Sequence, residues 1–270
     1  MSLLGGRVAV VTGAARGQGR AHCVRLAREG AAIIALDVCE RVSTRAAYPP
    51  ATSEDLDTTA ALVEAEGQRV CANVVDVRSS RLDAVVAEGV ALLGGRLDVV
   101  VANAGISDWN RFWEMSDEQW QTMIDINLTG VWRTLRATVP HMIAAGNGGS
   151  VITVSSVAGL KSLPGQAHYS AAKHGVVGLT KTAAIELGEY GIRVNSLHPW
   201  GVATPMGEGS GMRAVLDAHP SYAAAFASLL PKVSIAEVDD IADSVVFLAS
   251  DLSRTMTGAQ LTVDMGATKI

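Results

Sequence analysis

Residues 8–19 read VAVVTGAARGQG, an apolar run followed by a glycine-rich turn. The run Val8–Thr12 is short and β-rich, which predicts a strand buried on both faces. Gly13, Gly17 and Gly19 have the spacing G-x3-G-x-G, which allows a tight turn, close approach of the backbone to a pyrophosphate and close packing of helix on strand. The N-terminus of the following helix would offer free N–H groups to phosphate. No Gly-Lys-Ser/Thr ends the turn, which excludes a Walker loop.

Short β-rich runs alternate with longer helical patterns along the rest of the chain. Most runs are continuously apolar, as expected for strands that helices cover on both faces. This alternation predicts an α/β fold, a Rossmann-type doubly wound parallel sheet of about seven strands, in a single domain over residues 1–270. The predicted strands are Val8–Thr12, Ala32–Asp37, Arg69–Val75, Leu97–Ala102, Ser150–Ser155, Arg193–His198 and Gln260–Val263. The predicted helices span 18–29, 54–66, 80–93, 117–145, 168–189 and 238–249.

The composition excludes several classes of function. The chain of 270 residues is 49% hydrophobic and carries a net charge of −5 without a basic run, which argues against a nucleic-acid partner. No apolar run approaches the length of a membrane span, so we expect none. Cys23, Cys39 and Cys71 lack CxxC spacing, which indicates reduced thiols in a cytoplasmic protein and no metal site. Cys39 lies near the predicted nucleotide edge, where an unreactive thiol is the favoured interpretation.

Two stretches interrupt the alternation. Residues 39–53, CERVSTRAAYPPATS, are a polar, proline-containing insertion after the second strand, and Ser53 is the predicted N-cap of the next helix. Residues 199–233 are long and irregular, with short helical pieces. Long loops in compact domains are usually functional or mobile, and we interpret this one as a lid over a ligand rather than a passive insertion.

Acidic residues end two of the predicted strands. Asp37 lies 18 residues beyond Gly19, where a carboxylate can hydrogen bond a ribose 2′-hydroxyl. It would repel the 2′-phosphate of NADP, so it predicts NAD, although Arg16 and Arg41 could soften the repulsion. Asp76 ends the third strand, where it could bind the amine of an adenine ring or cap the next helix, and the two roles are compatible.

The ends of the fourth and fifth strands add the candidate chemistry. The small residues 103–105, Asn-Ala-Gly, leave space beside a cofactor at the carboxyl edge of the sheet. Tyr169 and Lys173 are four residues apart and so share one helix face. A cation beside a phenol lowers the pKa of the phenol from its usual value near 10, which makes the pair a candidate proton-transfer device. The Ser156 hydroxyl could hydrogen bond a carbonyl or alcohol oxygen at the same place.

Together these motifs resemble the short-chain dehydrogenase/reductase family, over essentially the whole chain and in the right order. The matching segments are TGAARGQG at 12–19, Asp37, Asp76, NAG at 103–105, Asn127 in NLTG, Ser156, Tyr169 with Lys173, and Thr204 in HPWGVATPM.

The resemblance implies a mechanism and a set of cofactor contacts. Tyr169 would be the general acid/base, Ser156 would hold the substrate oxygen, and Lys173 would bind the nicotinamide ribose and lower the pKa of Tyr169. Asn127 would hold a water that links Lys173 to solvent. A homotetramer built on the helices at 117–145 and 168–189 is also implied. The implied NAD contacts are Gly13, Arg16, Gly17, Gln18, Gly19, Asp37, Val38, Cys39, Asp76, Val77, Asn103, Ala104, Gly105, Tyr169, Lys173, Pro199, Val202 and Thr204.

A narrower resemblance rests on the 39–53 insertion and the opening TGAARGQGRAH. Both resemble the NAD-dependent branch that includes carveol dehydrogenases and mycofactocin-associated oxidoreductases. In that branch the insertion is taken to hinder NAD release, which implies retained NAD and an external redox carrier. The chain departs from the family at Trp200, where a glycine usually follows Pro199, and a Trp near the nicotinamide would narrow the pocket or stack on a ligand.

The predicted substrate pocket is apolar, which favours a hydrophobic secondary alcohol of terpenoid or alicyclic, carveol-like type over a sugar. His168 lies beside Tyr169 but on the next helical position, so we interpret it as a pocket-wall or surface residue rather than a second base. His198 is expected to pack at a strand end. The predicted substrate contacts, besides Ser156 and Tyr169, are Trp109, Trp113, Leu160, Trp200, Met206 and Phe226.

Two alternatives remain beside the NAD-dependent alcohol dehydrogenase. An NADPH-dependent ketoreductase of 3-oxoacyl or polyketide type is disfavoured by Asp37. A non-enzymatic dinucleotide-sensing protein on the same fold is disfavoured because Tyr169 and Lys173 are both present. Fold alone does not separate these alternatives.

Overall fold

The computed structural model describes residues 2–46, 48–208, 211–230 and 232–270. Its parallel strands form one seven-stranded sheet in the order β3-β2-β1-β4-β5-β6-β7. The predicted α/β fold is therefore confirmed, and the strand order reverses between β1 and β4, where ligands bind in such sheets. The strands are β1 (Val8–Thr12), β2 (Ala32–Asp37), β3 (Val70–Val74), β4 (Val99–Ala102), β5 (Gly149–Val154), β6 (Ile192–Pro199) and β7 (Gln260–Val263).

Helices connect the strands and cover both faces of the sheet. The α-helices of the described chain are α1 (Gly17–Arg28), α2 (Ser53–Ala65), α3 (Leu82–Leu92), α4 (Asp117–Ile124), α5 (Gly130–Ala145), α6 (Ala167–Leu187), α7 (Gly211–Ala218) and α8 (Val238–Ala249). Short 3-10 helices span Phe112–Glu114, Val157–Gly159, Gly188–Tyr190, Pro205–Glu208, Pro220–Phe226, Asp251–Ser253 and Ala267–Lys269.

Alternate residues of each strand are buried in different helix layers, because successive side chains of a strand point to opposite faces. Val11 packs in one core cluster with Leu26 of α1 and Val245 of α8. Val10 packs in the other cluster with Leu135 of α5. Each such apolar side chain contributes about 1.5–3 kcal/mol on burial, and strands buried on both faces explain the continuous apolar runs of the sequence.

The predicted helix at 117–145 is interrupted by a π-helical turn, Asp125–Thr129, between α4 and α5. Such turns occur mostly as single bulges within helices, often at functional sites. Asn127 lies in this turn and is completely buried. Its carboxamide bonds the backbone of Ile106, with Oδ1 accepting from the N–H at 2.9 Å and Nδ2 donating to the carbonyl at 2.8 Å. The wider turn thus ties α4 and α5 to the segment after β4.

The predicted N-cap of α2 is wrong by one residue. Thr52, not Ser53, caps the helix, because Asp55 lies three residues after Thr52 and completes a reciprocal capping box. The Thr52 hydroxyl accepts from the Asp55 N–H at 3.2 Å, and the Asp55 carboxylate accepts from the Thr52 N–H at 3.0 Å. The corresponding partner of Ser53 would be Leu56, which has no acceptor.

Membrane-spanning helices and metal-binding clusters are both absent from the described residues. Within residues 2–46, 48–208, 211–230 and 232–270, no helix combines the length and apolarity needed to cross a bilayer. The same residues contain no cluster of three His, Cys, Asp or Glu side chains suited to a metal ion.

Candidate active site

The glycine-rich turn between β1 and α1 is held together by its own backbone. Gly13 has φ of +69°, which favours glycine, and a Cβ there would lie 2.9 Å from Ala104 Cα. A Cβ on Gly19 would lie 1.9 Å from the Gly13 carbonyl oxygen, so only glycine fits. The turn also abuts the 199–233 segment, since a Cβ on Gly17 would lie 3.3 Å from Thr204 Cγ2. These glycines and Thr204, predicted as cofactor contacts, therefore lie together.

Asn103 braces the same turn from β4. Its Nδ2 donates to the Thr12 carbonyl at 2.9 Å, and its N–H donates to Thr12 Oγ1 at 3.1 Å. The N–H of Ala104 donates to the same hydroxyl at 3.1 Å. The sequence predicts residues 103–105 only as small residues that leave space beside a cofactor. The additional role of Asn103 in bracing the turn depends on a contact between residues 91 positions apart.

Asp37 is tied to the turn, and no arginine among the described residues forms an ion pair with it. Its Oδ2 accepts from the Ala15 N–H at 2.9 Å, and its Oδ1 accepts from the Cys39 N–H at 3.1 Å. The two arginines expected to soften its charge bond elsewhere. Arg16 donates to the carbonyl of Pro49, and Arg41 donates to the carbonyl of Ala46 at 3.3 Å. The carboxylate therefore keeps the uncompensated negative charge that disfavours a 2′-phosphate.

Asp76 pairs with Arg78 in the turn after β3. The carboxylate accepts from Arg78 Nη2 at 2.6 Å and from the Arg78 N–H at 2.7 Å. These bonds hold the pKa of Asp76 below its usual value, although burial, the larger influence, raises it. The next residue, Val77, packs on α5, because a Cβ on Gly130 would lie 2.6 Å from Val77 Cγ2. Asp76 thus occupies the strand end where we predicted an adenine contact.

Ser156, Tyr169 and Lys173 meet at the carboxyl end of β5. Ser156 begins the 3-10 helix Val157–Gly159, and its hydroxyl accepts from the Ala158 N–H at 3.1 Å. Lys173 is buried on α6, with Nζ 2.9 Å from the Val154 carbonyl and 5.5 Å from the centre of the Tyr169 ring. A Cβ on Gly105 would lie 3.6 Å from Lys173 Nζ and 3.3 Å from Asn127 Oδ1. All four predicted catalytic residues therefore surround one point.

Burial dominates the ionisation of this group. It raises the pKa of Tyr169 to about 12, against a lowering by the hydrogen bond with the Ser156 hydroxyl. It lowers the pKa of Lys173 to about 8. The expectation that Lys173 holds the pKa of Tyr169 below its ordinary value is not met in this structure, because burial of the phenol, the largest influence, raises it. The phenol therefore keeps its proton and must lose it before it can act as a base.

Two polar groups in this cleft retain hydrogen-bonding capacity that suits a bound dinucleotide. Gln18 Oε1 is buried and has no partner among the described residues. Lys173 Nζ makes one hydrogen bond, to Val154, and its ammonium has three donors. Together with the cramped glycines of the turn, these groups fit a ligand that brings hydroxyl and phosphate groups to the carboxyl edge.

Pro199 and Val202 carry the backbone from β6 to Thr204. Ala203 donates to the carbonyl of Ala236 at 2.9 Å, and Ala236 donates to that of Gly201 at 2.8 Å. This small parallel bridge fixes the path beside the turn, although a Trp replaces the glycine usual in the family. The half-buried Val38 and Cys39 follow β2 at the same edge.

The three thiols are not reactive groups. Burial raises the pKa of Cys39 to about 12, with a further rise from Asp37. Burial likewise raises the pKa of Cys23 and of Cys71. Because the thiolate is the nucleophile, the raised pKa values favour unreactive thiols. The favoured interpretation of Cys39 therefore agrees with the structure.

The predictions for the two histidines fare differently. His168 is wholly buried, neither a pocket wall nor a surface residue, and its Nε2 lies 2.6 Å from Asp108 Oδ1. Sequence reasoning missed this pair because Asp108 is 60 residues away. His198 does pack at a strand end, with Nδ1 2.7 Å from the Ser156 carbonyl and Nε2 2.8 Å from Ser196 Oγ. Burial lowers its pKa to about 4, so it is neutral.

Aromatic side chains form one side of the candidate substrate pocket. Trp200 packs with Phe226 and Tyr169 against a common apolar cluster. The ring of Phe226 lies 6.1 Å from that of Trp200 and 5.8 Å from that of Trp109. Trp109 and Met206 also line a cavity of about 550 Å³ beside this cluster. Three of the predicted apolar contacts, Trp109, Trp200 and Met206, and the suggested Phe226 thus converge.

Two other predicted contacts lie elsewhere. Trp113 is 58% exposed and lines a second cavity against α6, rather than the cavity beside Trp109. It packs edge-on against Phe112, with ring centres 4.9 Å apart. Leu160 is 39% exposed and is not among the residues that line the cavity beside Trp109.

The described part of the insertion, residues 39–46 and 48–53, contacts both the glycine-rich turn and the segment after β4. The Tyr48 hydroxyl accepts from the Ser107 N–H at 3.2 Å, which joins the insertion to the segment after β4. The guanidinium of Arg16 lies over the Tyr48 ring, 5.9 Å from its centre, and donates to Pro49. Tyr48 also lines the cavity beside Trp109. One loop therefore contacts both the glycine-rich turn and the candidate substrate pocket.

A doubly wound sheet with a glycine-rich turn and a Ser/Tyr/Lys set at one edge defines a dinucleotide-dependent oxidoreductase. A family model described as enoyl-(acyl carrier protein) reductase matches residues 13–268. With the relatives that follow, this match shows that the chain belongs to the short-chain dehydrogenase/reductase family.

Relatives resemble the chain over nearly its whole length. An uncharacterized NAD-dependent oxidoreductase of Mycobacterium tuberculosis is 58% identical over 98% of this chain and 97% of the relative. The (−)-trans-carveol dehydrogenase of Rhodococcus erythropolis is 44% identical over 99% of both chains. A short-chain dehydrogenase of Mycobacterium paratuberculosis, solved bound to NAD, is 48% identical, covers 99% of this chain and 100% of its own, and has a TM-score of 0.96. These relatives agree with the predicted enzyme class and with NAD as the predicted cofactor.

Proposed function

We propose that the protein is an NAD-dependent dehydrogenase that interconverts a hydrophobic secondary alcohol, of terpenoid or alicyclic type, and its ketone. The observation that carries this proposal is the convergence of Ser156, Tyr169 and Lys173 beside the glycine-rich turn, under the apolar cluster of Trp200 and Phe226. Bound NAD supplies the hydride acceptor, and the chain supplies binding, orientation and proton transfer.

In alcohol oxidation, Tyr169 takes the hydroxyl proton of the substrate and Ser156 holds the substrate oxygen. Lys173 hydrogen bonds the ribose hydroxyls with the donors that Val154 leaves free. The positive charge of Lys173 favours the phenolate form of Tyr169, whereas burial of the ring favours the neutral phenol. Asn127, beside Lys173 at Gly105, positions a water through which the proton leaves. In ketone reduction the same groups act in reverse.

The cofactor proposal rests on Asp37 and on the glycine-rich turn. Both carboxylate oxygens of Asp37 accept from backbone N–H groups, so the charge is fixed at the end of β2. A ribose diol can donate to such a carboxylate, whereas a 2′-phosphate would be repelled. The remaining predicted contacts follow from the family: Val38, Cys39, Asp76, Val77, Ala104, Pro199, Val202 and Thr204 lie along the same edge.

The insertion would slow the release of NAD, so that reoxidation uses an external redox carrier, as in mycofactocin-associated enzymes. The bridge from Arg16 through Pro49 and Tyr48 to Ser107 supports this part of the proposal, since it crosses the mouth of the cleft. We also propose a homotetramer built on α4–α6, where Trp120, Trp132 and Ile185 are exposed apolar side chains. The three free thiols support a cytoplasmic location.

A panel of alcohols tests the proposal. Purified protein is assayed with neutral terpenoid and alicyclic alcohols, including (−)-trans-carveol, and with a sugar alcohol and 3-hydroxyacyl thioesters as controls. Each alcohol is tested with added NAD, with NADP, and with an artificial electron acceptor. We expect oxidation of a hydrophobic secondary alcohol with NAD, and stronger turnover when the acceptor is present. Preference for NADP with a 3-hydroxyacyl thioester would instead support a ketoreductase and contradict the proposal.

A further inference from the structure

Asp108 and His168 form a buried pair directly against the catalytic residue Tyr169. His168 is 0% exposed and Asp108 is 6% exposed, so both are removed from solvent. His168 Nε2 lies 2.6 Å from Asp108 Oδ1, and His168 Nδ1 accepts from the N–H of Tyr169 at 2.9 Å. Both ring nitrogens are therefore occupied inside the protein, and the ring has no nitrogen left for a substrate.

The hydrogen bond from the Tyr169 N–H to His168 lies at the N-terminus of α6, where the backbone N–H groups need an acceptor. The first N–H groups of a helix have no partner within it, and an N-cap side chain usually satisfies one of them. Gln166, at the N-cap of α6, provides no such bond, because its Nε2 donates to Ser107 Oγ at 2.8 Å instead. The imidazole of His168 accepts from the third N–H of the helix, and that N–H belongs to Tyr169.

The hydrogen bonds also define the protonation of the pair. Because Nδ1 accepts, the proton of the neutral imidazole is on Nε2 and is donated to the Asp108 carboxylate. Gln119 of α4 donates to the same Oδ1 at 2.7 Å. A further backbone bond, from Asn110 to the carbonyl of Gly165 at 2.9 Å, joins the same two segments. The carboxylate therefore anchors the start of α6 to α4 and to the segment after β4.

We propose that Asp108 and His168 are positioning residues for the reaction, which hold the Tyr169 hydroxyl at the reacting oxygen by fixing the start of α6. This inference rests on the proposed role of Tyr169. Misplacement of a reacting group by about 1 Å can lower a rate by about 100-fold, so a small shift of the helix start would reduce turnover. NAD affinity does not depend on the pair in the same way, because neither residue borders the glycine-rich turn. Asp108 also lines the cavity beside Trp109, so the KM for the alcohol is compared in the His168 variant, whose ring lies outside that lining.

The test compares His168→Ala, Asp108→Ala and Asp108→Asn with the wild type, using (−)-trans-carveol or the panel alcohol that the wild type oxidises fastest. Measured are kcat, the KM for the alcohol, the Kd for NADH and the melting temperature. We expect both alanine variants to lower kcat by about 10- to 100-fold while the Kd for NADH stays within about twofold. The KM for the alcohol should also stay within about twofold in His168→Ala. Asp108→Asn keeps an oxygen acceptor for Nε2–H and should recover most of the lost kcat.

The double variant His168→Ala/Asp108→Ala should lose no more kcat than either single variant, because the two residues act as one unit. His174→Ala replaces an exposed histidine six residues further along α6; it is the matched control and should keep wild-type kinetics. Unchanged kcat in the alanine variants would overturn the inference, as would an Asp108→Asn variant no better than Asp108→Ala. Failure of both alanine variants to fold would also overturn it, since the pair would then serve stability. Retained activity in Tyr169→Phe would instead sink the proposed function.

Discussion

The proposed nucleotide half of the cleft is built from backbone, whereas the proposed substrate half is built from side chains on loops. In the nucleotide half, defined by residues 12–19 and Asp37, the fit depends on glycines that leave no room for a Cβ. In the substrate half, defined by Trp109, Trp200, Met206 and Phe226, it depends on the packing of large rings. The glycine positions of the turn accept few substitutions, whereas the aromatic side chains on the loops can be replaced by others without disturbing the turn. The difference explains how one fold can keep its cofactor and change its substrate.

Tyr169 lies where the two halves meet, and its loss should have the largest effect. Tyr169→Phe removes the proton-transfer group but keeps the ring and its packing, so we expect kcat to fall by about 10³-fold with NADH affinity within about twofold. Steady-state kinetics and an NADH fluorescence titration measure the two effects. Tyr190→Phe, an exposed tyrosine after α6, is the control. A variant that turns over at the wild-type rate would contradict the mechanism.

Gly19→Ala should damage the nucleotide half selectively. The new Cβ would lie 1.9 Å from the Gly13 carbonyl oxygen, and overpacking of this kind costs about 1–3 kcal/mol. We expect NADH binding to weaken by up to about 100-fold, together with a lower melting temperature. At Gly188, by contrast, a Cβ would meet nothing within 4 Å, so Gly188→Ala is the matched control. Equal NADH affinity in both variants would show that the turn does not bind the cofactor.

Phe226→Ala should damage the substrate half and leave the cofactor site intact. It removes the ring that packs against both Trp109 and Trp200. We expect the KM for a bulky alicyclic alcohol to rise by about tenfold, the effect of a small change in an apolar pocket, with no change in NADH affinity. The control is Phe112→Ala, a residue 69% exposed on the second cavity. A change of KM in the control but not in Phe226→Ala would place the substrate in the second cavity.

The insertion contacts both halves of the cleft. Loosening it by the loss of one hydrogen bond should have the smallest effect of the changes proposed. Tyr48→Phe removes one hydrogen bond, to the Ser107 N–H, which is worth about 1 kcal/mol. We expect NADH release, followed by displacement in stopped flow, to accelerate about fivefold, with kcat for the artificial-acceptor assay little changed. If release is already fast in the wild type, or unchanged in the variant, the bridge does not retain the cofactor.

The sequence was sufficient to predict an element or a site where the local residue pattern matches the burial in the structure. The apolar runs predicted the central strands β1, β2 and β4 because these are buried on both faces, whereas the edge strands β3 and β7 are only half-buried. The spacing of Gly13, Gly17 and Gly19 identified the turn. The Tyr169/Lys173 pair was recognisable because four residues place two side chains on one helix face. In these cases the physical constraint acts over a few residues of chain.

The sequence was insufficient where loops bring distant residues together. The Asp108–His168 pair joins positions 60 residues apart, and no periodicity signals it. Trp109 and Trp113 are only four residues apart, yet one lines the cavity beside the site and the other lines a second cavity against α6. The raised pKa of Tyr169 has a related cause, since burial depends on all the residues packed around the ring.

The most direct test is the pH dependence of hydride-linked proton transfer in a single turnover. Enzyme loaded with NAD is mixed with excess alcohol, and the formation of reduced nicotinamide is followed between about pH 6 and pH 9 in wild type and Tyr169→Phe. Because burial raises the pKa of Tyr169 to about 12, the phenolate fraction grows with pH across this range. The wild-type rate should therefore rise, by up to about tenfold per pH unit, and Tyr169→Phe should show no such rise. Equal rates in the two proteins would contradict the assignment of Tyr169 as the base, and a wild-type rate that is flat with pH would contradict the raised pKa of Tyr169.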